Sequence, residues 1–367
     1  MVYVFISYFY SPDVSTPEAW MQRVAASAGI LEDLATDNTV ISIKQIDYTG
    51  IYLQKGVQYH FISTNRKRTK FPFKYNAYIK NLQPDIVIIN GLHHPLEALQ
   101  LRILLGSKPL IFFHHHAELP FNRFGKYAQR LASHYADAYL FASKSLGQSW
   151  VDRGNIAYPD KIHEVMEVSS TFSPIDKNIA RAKTGVQGEQ IYLWVGRLNA
   201  NKDPLLAVNA FLKYTKSNAG VRLYMIYHTV ELLNDIQDIF KDHELGSNVI
   251  LIGKVPHPEL LYWFNSADFI LSASHYEGSG LAICEAMSCG CIPVVTNIDS
   301  FRMMTNNGEC GILYEAGNGD ALLSALLQTQ SINIRDMKTK ILDYYTATLS
   351  FSSIADKFRE IVAGVVR

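Results

Sequence analysis

Glu277 and Glu285 are separated by seven residues in the string His275-Tyr-Glu277-Gly278-Ser279-Gly280-Leu281-Ala-Ile-Cys-Glu285-Ala-Met-Ser-Cys-Gly290. The string follows an apolar run, residues 269–273, that reads as a buried strand. Gly278 and Gly280 allow a tight turn in which backbone can approach a ligand. A helix opening near Leu281 would present free N–H groups there, a ready site for phosphate. Two carboxylates beside a phosphate would repel it unless they face something else. Sugar and ribose hydroxyls are their natural partners, since one carboxylate accepts two such bonds.

A second string, Val195-Gly196-Arg197-Leu198-Asn-Ala-Asn-Lys202-Asp203, follows the apolar run 191–195. A guanidinium and an ammonium five residues on can reach one diphosphate. Their charge would stabilise that diphosphate as a leaving group. Taken singly, each of these residues reads as a solvated charge on a helix or loop. Their concurrence after two buried strands, with glycines between the carboxylates, favours a site.

A third string, Lys108-Pro109-Leu-Ile-Phe-Phe-His114-His115-His116-Ala117-Glu118, ends a strand on three histidines. Consecutive strand residues alternate faces, so the three do not easily ligate one ion. A neutral imidazole can instead bond a hydroxyl without adding charge. His93-His94-Pro95 also follows a strand and is placed by position alone on the acceptor side. Arg66-Lys-Arg-Thr-Lys-Phe-Pro-Phe-Lys74 is a basic stretch, read first as a solvated loop and second as a contact for anionic lipid or an anionic acceptor.

Together the first two strings resemble the family-4 retaining glycosyltransferases of the GT-B fold, the glycosyl transferases group 1. Glu277 and Glu285 have the spacing of that family's Glu-x7-Glu motif, and Gly196, Arg197, Leu198 and Lys202 match its Gly-Arg-Leu…Lys segment. The resemblance spans residues 190–320 and is looser over residues 1–150. It implies that Arg197 and Lys202 grip a nucleotide diphosphate, that Glu277 meets the transferred sugar and that Glu285 meets the ribose. Gly196, Gly278 and the backbone of Ser279, Gly280 and Leu281 would complete the donor cradle. Counting from Pro109, His115 falls where the family places a sugar-contacting histidine, with His116 one step away. The implied reaction moves a hexosyl-type sugar from a nucleotide diphosphate sugar to a glycan, glycolipid or small-molecule acceptor, with retention.

This chain also departs from the family. The loop after the first strand, Ser11-Pro-Asp-Val-Ser15-Thr16-Pro17, lacks the usual Gly-Gly; Ser15 and Thr16 hydroxyls are the candidates to replace it. Glu167-Val-Ser-Ser-Thr171 replaces an Asn-Gly-Val-Asp linker, and Tyr227-His228-Thr229 replaces a glycine-rich turn. No Asp-x-Asp occurs, so no metal or other cofactor is expected and the cations with a helix dipole would hold the diphosphate.

The elements that must position these residues alternate nearly end to end. Strands are expected at 2–8, 39–43, 85–90, 110–115, 138–142 and 164–168, then at 191–195, 222–227, 249–252, 269–273, 293–296 and 311–314. Helical patterns lie between them, including 18–35, 96–105, 126–135, 204–214, 232–241, 259–265 and 281–289. Ser15 or Thr16 is the expected cap of the first, with Pro17 at its first position. Such alternation means parallel βα units. The expected architecture is α/β with two Rossmann-like doubly wound domains facing across a cleft: residues 1–170 on the acceptor side, 171–349 on the donor side, and a helix at 350–367 packing back toward the first. The polar stretch 169–188 is the expected linker about which the cleft closes.

The bulk numbers agree. A chain of 367 residues, 48% hydrophobic, can bury two cores. Lys plus Arg and Asp plus Glu number 34 each, which argues against a nucleic-acid partner. Cys284, Cys289, Cys291 and Cys310 lack zinc spacing and read as small buried residues of a reduced, cytoplasmic protein. The N-terminus resembles no signal peptide, and no apolar run nears the ~20 residues that cross a bilayer. Peripheral contact with the inner membrane face stays open. Two rival readings use the same residues: a catalytically silent subunit that binds nucleotide sugars, and a GT-B sugar-nucleotide epimerase.

Overall fold

The central strands are apolar on both faces. Ile86, Val87, Ile88 and Ile89 are all 1% exposed or less, as are Phe269, Ile270 and Leu271. A strand buried on both sides needs a helical layer on each face, which is the doubly wound arrangement. The computed structural model describes residues 1–63, 72–241 and 248–366. It divides into one unit of Met1–Ser169 with Phe351–Arg367 and a second of Ser170–Ser350.

In the first unit the strands are β1 (Val2–Ser11), β2 (Thr39–Ile46), β3 (Gly50–Gln54), β4 (Val57–Ile62), β5 (Ile86–Asn90), β6 (Leu110–His114), β7 (Ala138–Phe141) and β8 (Ile162–Glu164). Their order in the sheet is β3-β4-β2-β1-β5-β6-β7-β8. All pairs are parallel except β3 with β4. That hairpin turns on Lys55 and Gly56, at φ 44° and 83°. Positive φ at both central residues is what a tight hairpin turn requires. The expected helix over 18–35 is two helices, Pro17–Arg23 and Ala25–Leu34. Thr16 caps the first, accepting from the Ala19 N–H at 3.2 Å. The second has its own constraint: a Cβ on Gly29 would lie 2.6 Å from the Phe351 ring.

The helix Phe351–Val365 belongs to this unit. Phe358 sits 6.1 Å from the Phe5 ring and edge-on to His114 at 5.7 Å. Arg359 bonds Asp33 at 3.0 Å and Asp37 at 3.1 Å.

In the second unit the strands are β9 (Gln190–Gly196), β10 (Val221–Tyr227), β11 (Val249–Gly253), β12 (Phe269–Ser272), β13 (Ile292–Thr296) and β14 (Ile312–Tyr314), ordered β11-β10-β9-β12-β13-β14 and wholly parallel. The polar stretch 169–188 is not simply a linker. Lys177–Thr184 is a helix of this unit, capped by Asp176, and Lys177 and Arg181 both pair with the buried Asp268.

Among its parallel strands each sheet turns back its order at one place, between β1 and β5 in the first unit and between β9 and β12 in the second; the antiparallel β3 is added at the edge of the first. Loops leaving such a reversal diverge and open a crevice at the carboxyl ends of the strands, where ligands bind in sheets of this type.

Candidate functional site

The two strongest strings of the sequence leave the two strands that flank the reversal in the second unit. Gly196 ends β9, and the loop Arg197–Asp203 follows it; His275–Gly280 follows β12. Backbone and side chains stitch these loops together. The His275 N–H donates to the Asn201 carbonyl at 2.8 Å, and Asn201 Nδ2 donates to the Tyr276 carbonyl at 3.0 Å. His275 Nε2 lies 2.9 Å from Asp203 Oδ2, while Asp203 Oδ1 caps the helix Pro204–Thr215. From the neighbouring strand end, Thr229 Oγ1 accepts the Leu198 N–H at 2.8 Å.

Lys202 and Glu277 close an ion pair between the two loops, with side chains 26% and 13% exposed. Arg197 is exposed, and among the described residues its guanidinium has no partner. Gly280 caps the helix Leu281–Ser288 at φ +64°, and a Cβ there would lie 2.6 Å from the Phe301 ring. Only glycine suits that corner. Because no side chain caps this helix, its first N–H groups are left for another acceptor. Gly278 and Ser279 are buried beneath the turn.

Glu285 lies one turn into the same helix, its side chain 4% exposed. It faces His257, whose Nε2 is 2.5 Å from Glu285 Oε1. That hydrogen bond raises the His257 pKa, against the pull of burial. The His257 ring, 5.1 Å from Phe172, is half exposed. Among the described residues no three His, Cys, Asp or Glu side chains are grouped to hold a metal ion.

In the first unit, a cluster forms at the carboxyl ends of β5 and β6. The Glu118 carboxylate accepts the Leu92 N–H at 3.2 Å and the His116 N–H at 2.7 Å, tying the two loops. It leaves so little room that a Cβ on Gly91, at φ +96°, would lie 2.6 Å from Glu118 Oε1. His115 is 2% exposed, stacked on Phe141 at 4.8 Å, with Nε2 3.0 Å from the Glu118 carbonyl. His116 has a side chain 39% exposed; Nδ1 pairs with Glu167 and Nε2 lies 3.0 Å from Asn90 Oδ1. Burial works against a charge on His116, but the Glu167 carboxylate outweighs it and raises the pKa. His114, buried, is pushed down to about 3.

The resemblance implied that His115 would serve, and strand alternation would then turn His116 to the opposite face. The exposure is the reverse. β6 ends at His114, and the chain turns at Ala117, at φ +64°, so the period of two no longer applies. Ser15 is exposed in the loop after β1, while Thr16 is engaged as a helix cap. Residues 66–71 of the basic stretch lie outside the described residues.

Residues 176–340 match the family model of the glycosyl transferases group 1. Most of the second unit is thus similar to that family. Over 204 residues the chain is 26% identical to a D-inositol 3-phosphate glycosyltransferase of Paenarthrobacter aurescens, covering 53% of this chain and 50% of that one. Over 165 residues it is 28% identical to an alpha-monoglucosyldiacylglycerol synthase of Streptococcus pneumoniae, covering 44% and 37%. The chain thus matches half or less of the length of these relatives.

Both units have counterparts in solved structures. A glycosyltransferase from Rickettsia africae superposes with TM-score 0.75 at 18% identity, over 100% of this chain and 99% of that one. The E. coli trehalose-6-phosphate structure bound with UDP-2-fluoro glucose gives 0.72 at 14%, over 100% and 99%. The fold is therefore GT-B, two parallel-sheet Rossmann-like domains, as the resemblance implied.

The sequence motifs did not mark His257, Glu167, Asn90 or Lys44. Lys44, on β2, lies over the Trp20 ring at 5.6 Å, and burial lowers its pKa to about 8. Asn90 and His257 follow or end strands, the same positional signal that marked Arg197 and Glu277.

Proposed function

We propose that this chain transfers a hexosyl-type sugar from a nucleotide diphosphate sugar to a hydroxyl acceptor, with retention of configuration. One observation carries the reading: Arg197, the Lys202–Glu277 pair and a helix start with no side-chain cap all stand at the carboxyl ends of β9 and β12. Arg197 and Lys202 would hold the diphosphate, with the N–H groups at Leu281 beside them. Glu277 would turn from Lys202 to the sugar hydroxyls as the diphosphate takes over the ammonium. Glu285, held by His257, would accept the ribose hydroxyls. The bond from the anomeric carbon to the diphosphate oxygen breaks, and the acceptor oxygen bonds that carbon on the same face. The acceptor proton passes to the departing diphosphate. The cations supply the charge stabilisation, so no metal or other cofactor is needed.

His116, polarised by Glu167, is the candidate of the first unit for a substrate hydroxyl. The names of the relatives, one for an inositol phosphate and one for a diacylglycerol, support a sugar or lipid-linked acceptor as the class. The test is a thermal-shift screen of purified protein against nucleotide diphosphates and their sugars, because a bound donor raises apparent stability by mass action. The donor found is then assayed for transfer, with the product anomer read by NMR. Binding without transfer or hydrolysis would mark a silent binding subunit, and conversion of the donor sugar without transfer an epimerase.

A further inference from the structure

The helix Arg123–Ala132 in the first unit carries apolar side chains on the wrong side for a core. Phe124 is 89% exposed, Tyr127 68% and Leu131 46%, at spacings that place all three on one stripe. The buried side of the same helix is Gln129 and Ala132. Arg123, Lys126 and Arg130 repeat the spacing one residue earlier and form a cationic stripe alongside; the helix has no acidic residue. The helix Pro95–Leu105 packs beside it. Both are crossovers between successive parallel strands, β5 to β6 and β6 to β7, so right-handed connection puts them on one face of the sheet. That neighbour exposes Ile103 at 74%. The outer layer of the unit is therefore apolar and basic together, where a monomeric soluble surface rarely is.

We propose that this face lies on a lipid bilayer bearing anionic headgroups, with Phe124, Tyr127 and Leu131 entering the acyl boundary and Arg123, Lys126 and Arg130 on the phosphates. The charge pattern selects this occupant. An amphipathic helix with large apolar side chains beside Lys and Arg is the form that binds at a membrane interface. A bilayer takes side chains that stand out along a helix without needing a matching pocket. The face is also joined to the strand-end cluster. The Leu119 carbonyl accepts from His93 at 2.8 Å, and Leu119, 62% exposed, stands three residues beyond His116. An acceptor headgroup at the bilayer would arrive at that end of the unit. This last point rests on the proposed transfer; the membrane contact does not.

The experiment is co-sedimentation of the full chain with phosphatidylcholine vesicles, with and without phosphatidylglycerol, over a salt series. Binding to the anionic vesicles that weakens with salt is expected. The triple Phe124→Ser, Tyr127→Ser, Leu131→Ser should lower the partition by about tenfold or more, the scale of withdrawing one to two buried apolar side chains. Each of Arg123→Gln, Lys126→Gln and Arg130→Gln should lower it about fivefold. Arg123, Phe124, Tyr127 and Leu131 are exposed, so their variants should keep the wild-type melting temperature; Lys126 is half-buried and Arg130 meets the Gly154 carbonyl at 3.5 Å, so the partition of those two variants is read at temperatures well below their measured melts, and the readout needs no enzymatic activity. The proposal is overturned if the wild-type chain ignores anionic vesicles or if neither set of variants alters binding. It is equally overturned if the apolar triple instead abolishes a concentration-dependent self-association, which would make the face a protein interface.

Discussion

Lys202 and Glu277, 75 residues apart in the chain, neutralise each other at the reversal of the second sheet. The pair joins the two loops that carry the donor motifs. In the proposed transfer, a diphosphate that took Lys202 would release Glu277 toward the sugar, so cation and carboxylate would act in sequence on one ligand.

From this, Arg197→Ala and Lys202→Ala should each lower turnover by about 10²-fold, the scale of losing one preorganised charge contact in a transition state. Arg197 has no ion-pair partner among the described residues, so its loss should leave the melting temperature unchanged. Lys202→Ala strands Glu277, and Glu277→Gln should recover part of any stability it costs. Steady-state kinetics and thermal melts on the three single variants and the Lys202/Glu277 double decide this. Wild-type turnover in either cation variant would defeat the diphosphate assignment.

The pair His257–Glu285 carries a pH dependence whose sign is set by the raised His257 pKa. A raised pKa in the folded state stabilises fully below the unfolded value, about 6.5, and the contribution fades as pH rises through the folded value. The loss of melting temperature in His257→Ala should thus be larger near pH 6 than near pH 9. A difference that stays constant across that range would show that the imidazole acts only by packing against Phe172.

Gly280→Ala should destabilise by about 1–3 kcal/mol, because it forces a side chain into positive φ and onto the Phe301 ring. Gly319→Ala is the control: it stands at the start of the helix Gly319–Gln328 with nothing within 4 Å of its Cβ, and should be neutral or slightly stabilising. Urea unfolding of both separates backbone strain from a general intolerance of the unit. Equal stability of the two variants would remove the strain argument at Gly280.

What was legible before the structure was what lies close in sequence. Glu277, Gly280 and Glu285 sit in one string, and Arg197 and Lys202 in another, so local spacing exposed them. The doubly buried strands were legible for the same reason, as short apolar runs. His257 was not, because its partner Glu285 comes to it only when β11 and β12 take their places in one sheet. Glu167 and Asn90 meet His116 in the same non-local way. The hairpin β3–β4 was missed, since no strand was expected between 43 and 85, although Lys55-Gly56 stands between its two segments. The close approach of Gly29 to Phe351 spans most of the chain, and no local pattern contains it.

Transfer should persist in excess EDTA. Two cationic side chains and a helix start already stand at the strand ends where the diphosphate is placed, and among the described residues no ligand set for an ion is grouped there. Initial rates with and without chelator, then with added Mg or Mn, are the measurement. Loss in EDTA that either metal restores would overturn the metal-free proposal.

The last prediction separates the adjacent histidines. His116 is held by Glu167 and Asn90 with part of its ring open, whereas His115 is packed on Phe141 and Trp150 and bonded to the Glu118 carbonyl. A residue that meets substrate must be reachable, and a residue that fills the core must not be removed without leaving a hole. His116→Ala should therefore lose most transfer in a protein that still folds, with a lowered melting temperature because it removes the cationic partner of the buried Glu167, and with affinity for the free nucleotide diphosphate intact because the proposed donor motifs lie on the other unit. His115→Ala should lower stability by about 1–3 kcal/mol, the usual range for truncating a packed side chain. Its transfer rate, measured well below the melting temperature, should fall less. Glu167→Gln supplies the mechanism check: it keeps the hydrogen-bonding shape but removes the charge that raises the His116 pKa, so the pH profile of transfer should shift to lower pH. If His115→Ala abolishes transfer in a protein that melts normally, the register returns to His115. If neither variant affects transfer, the strand-end cluster of the first unit is not part of the site.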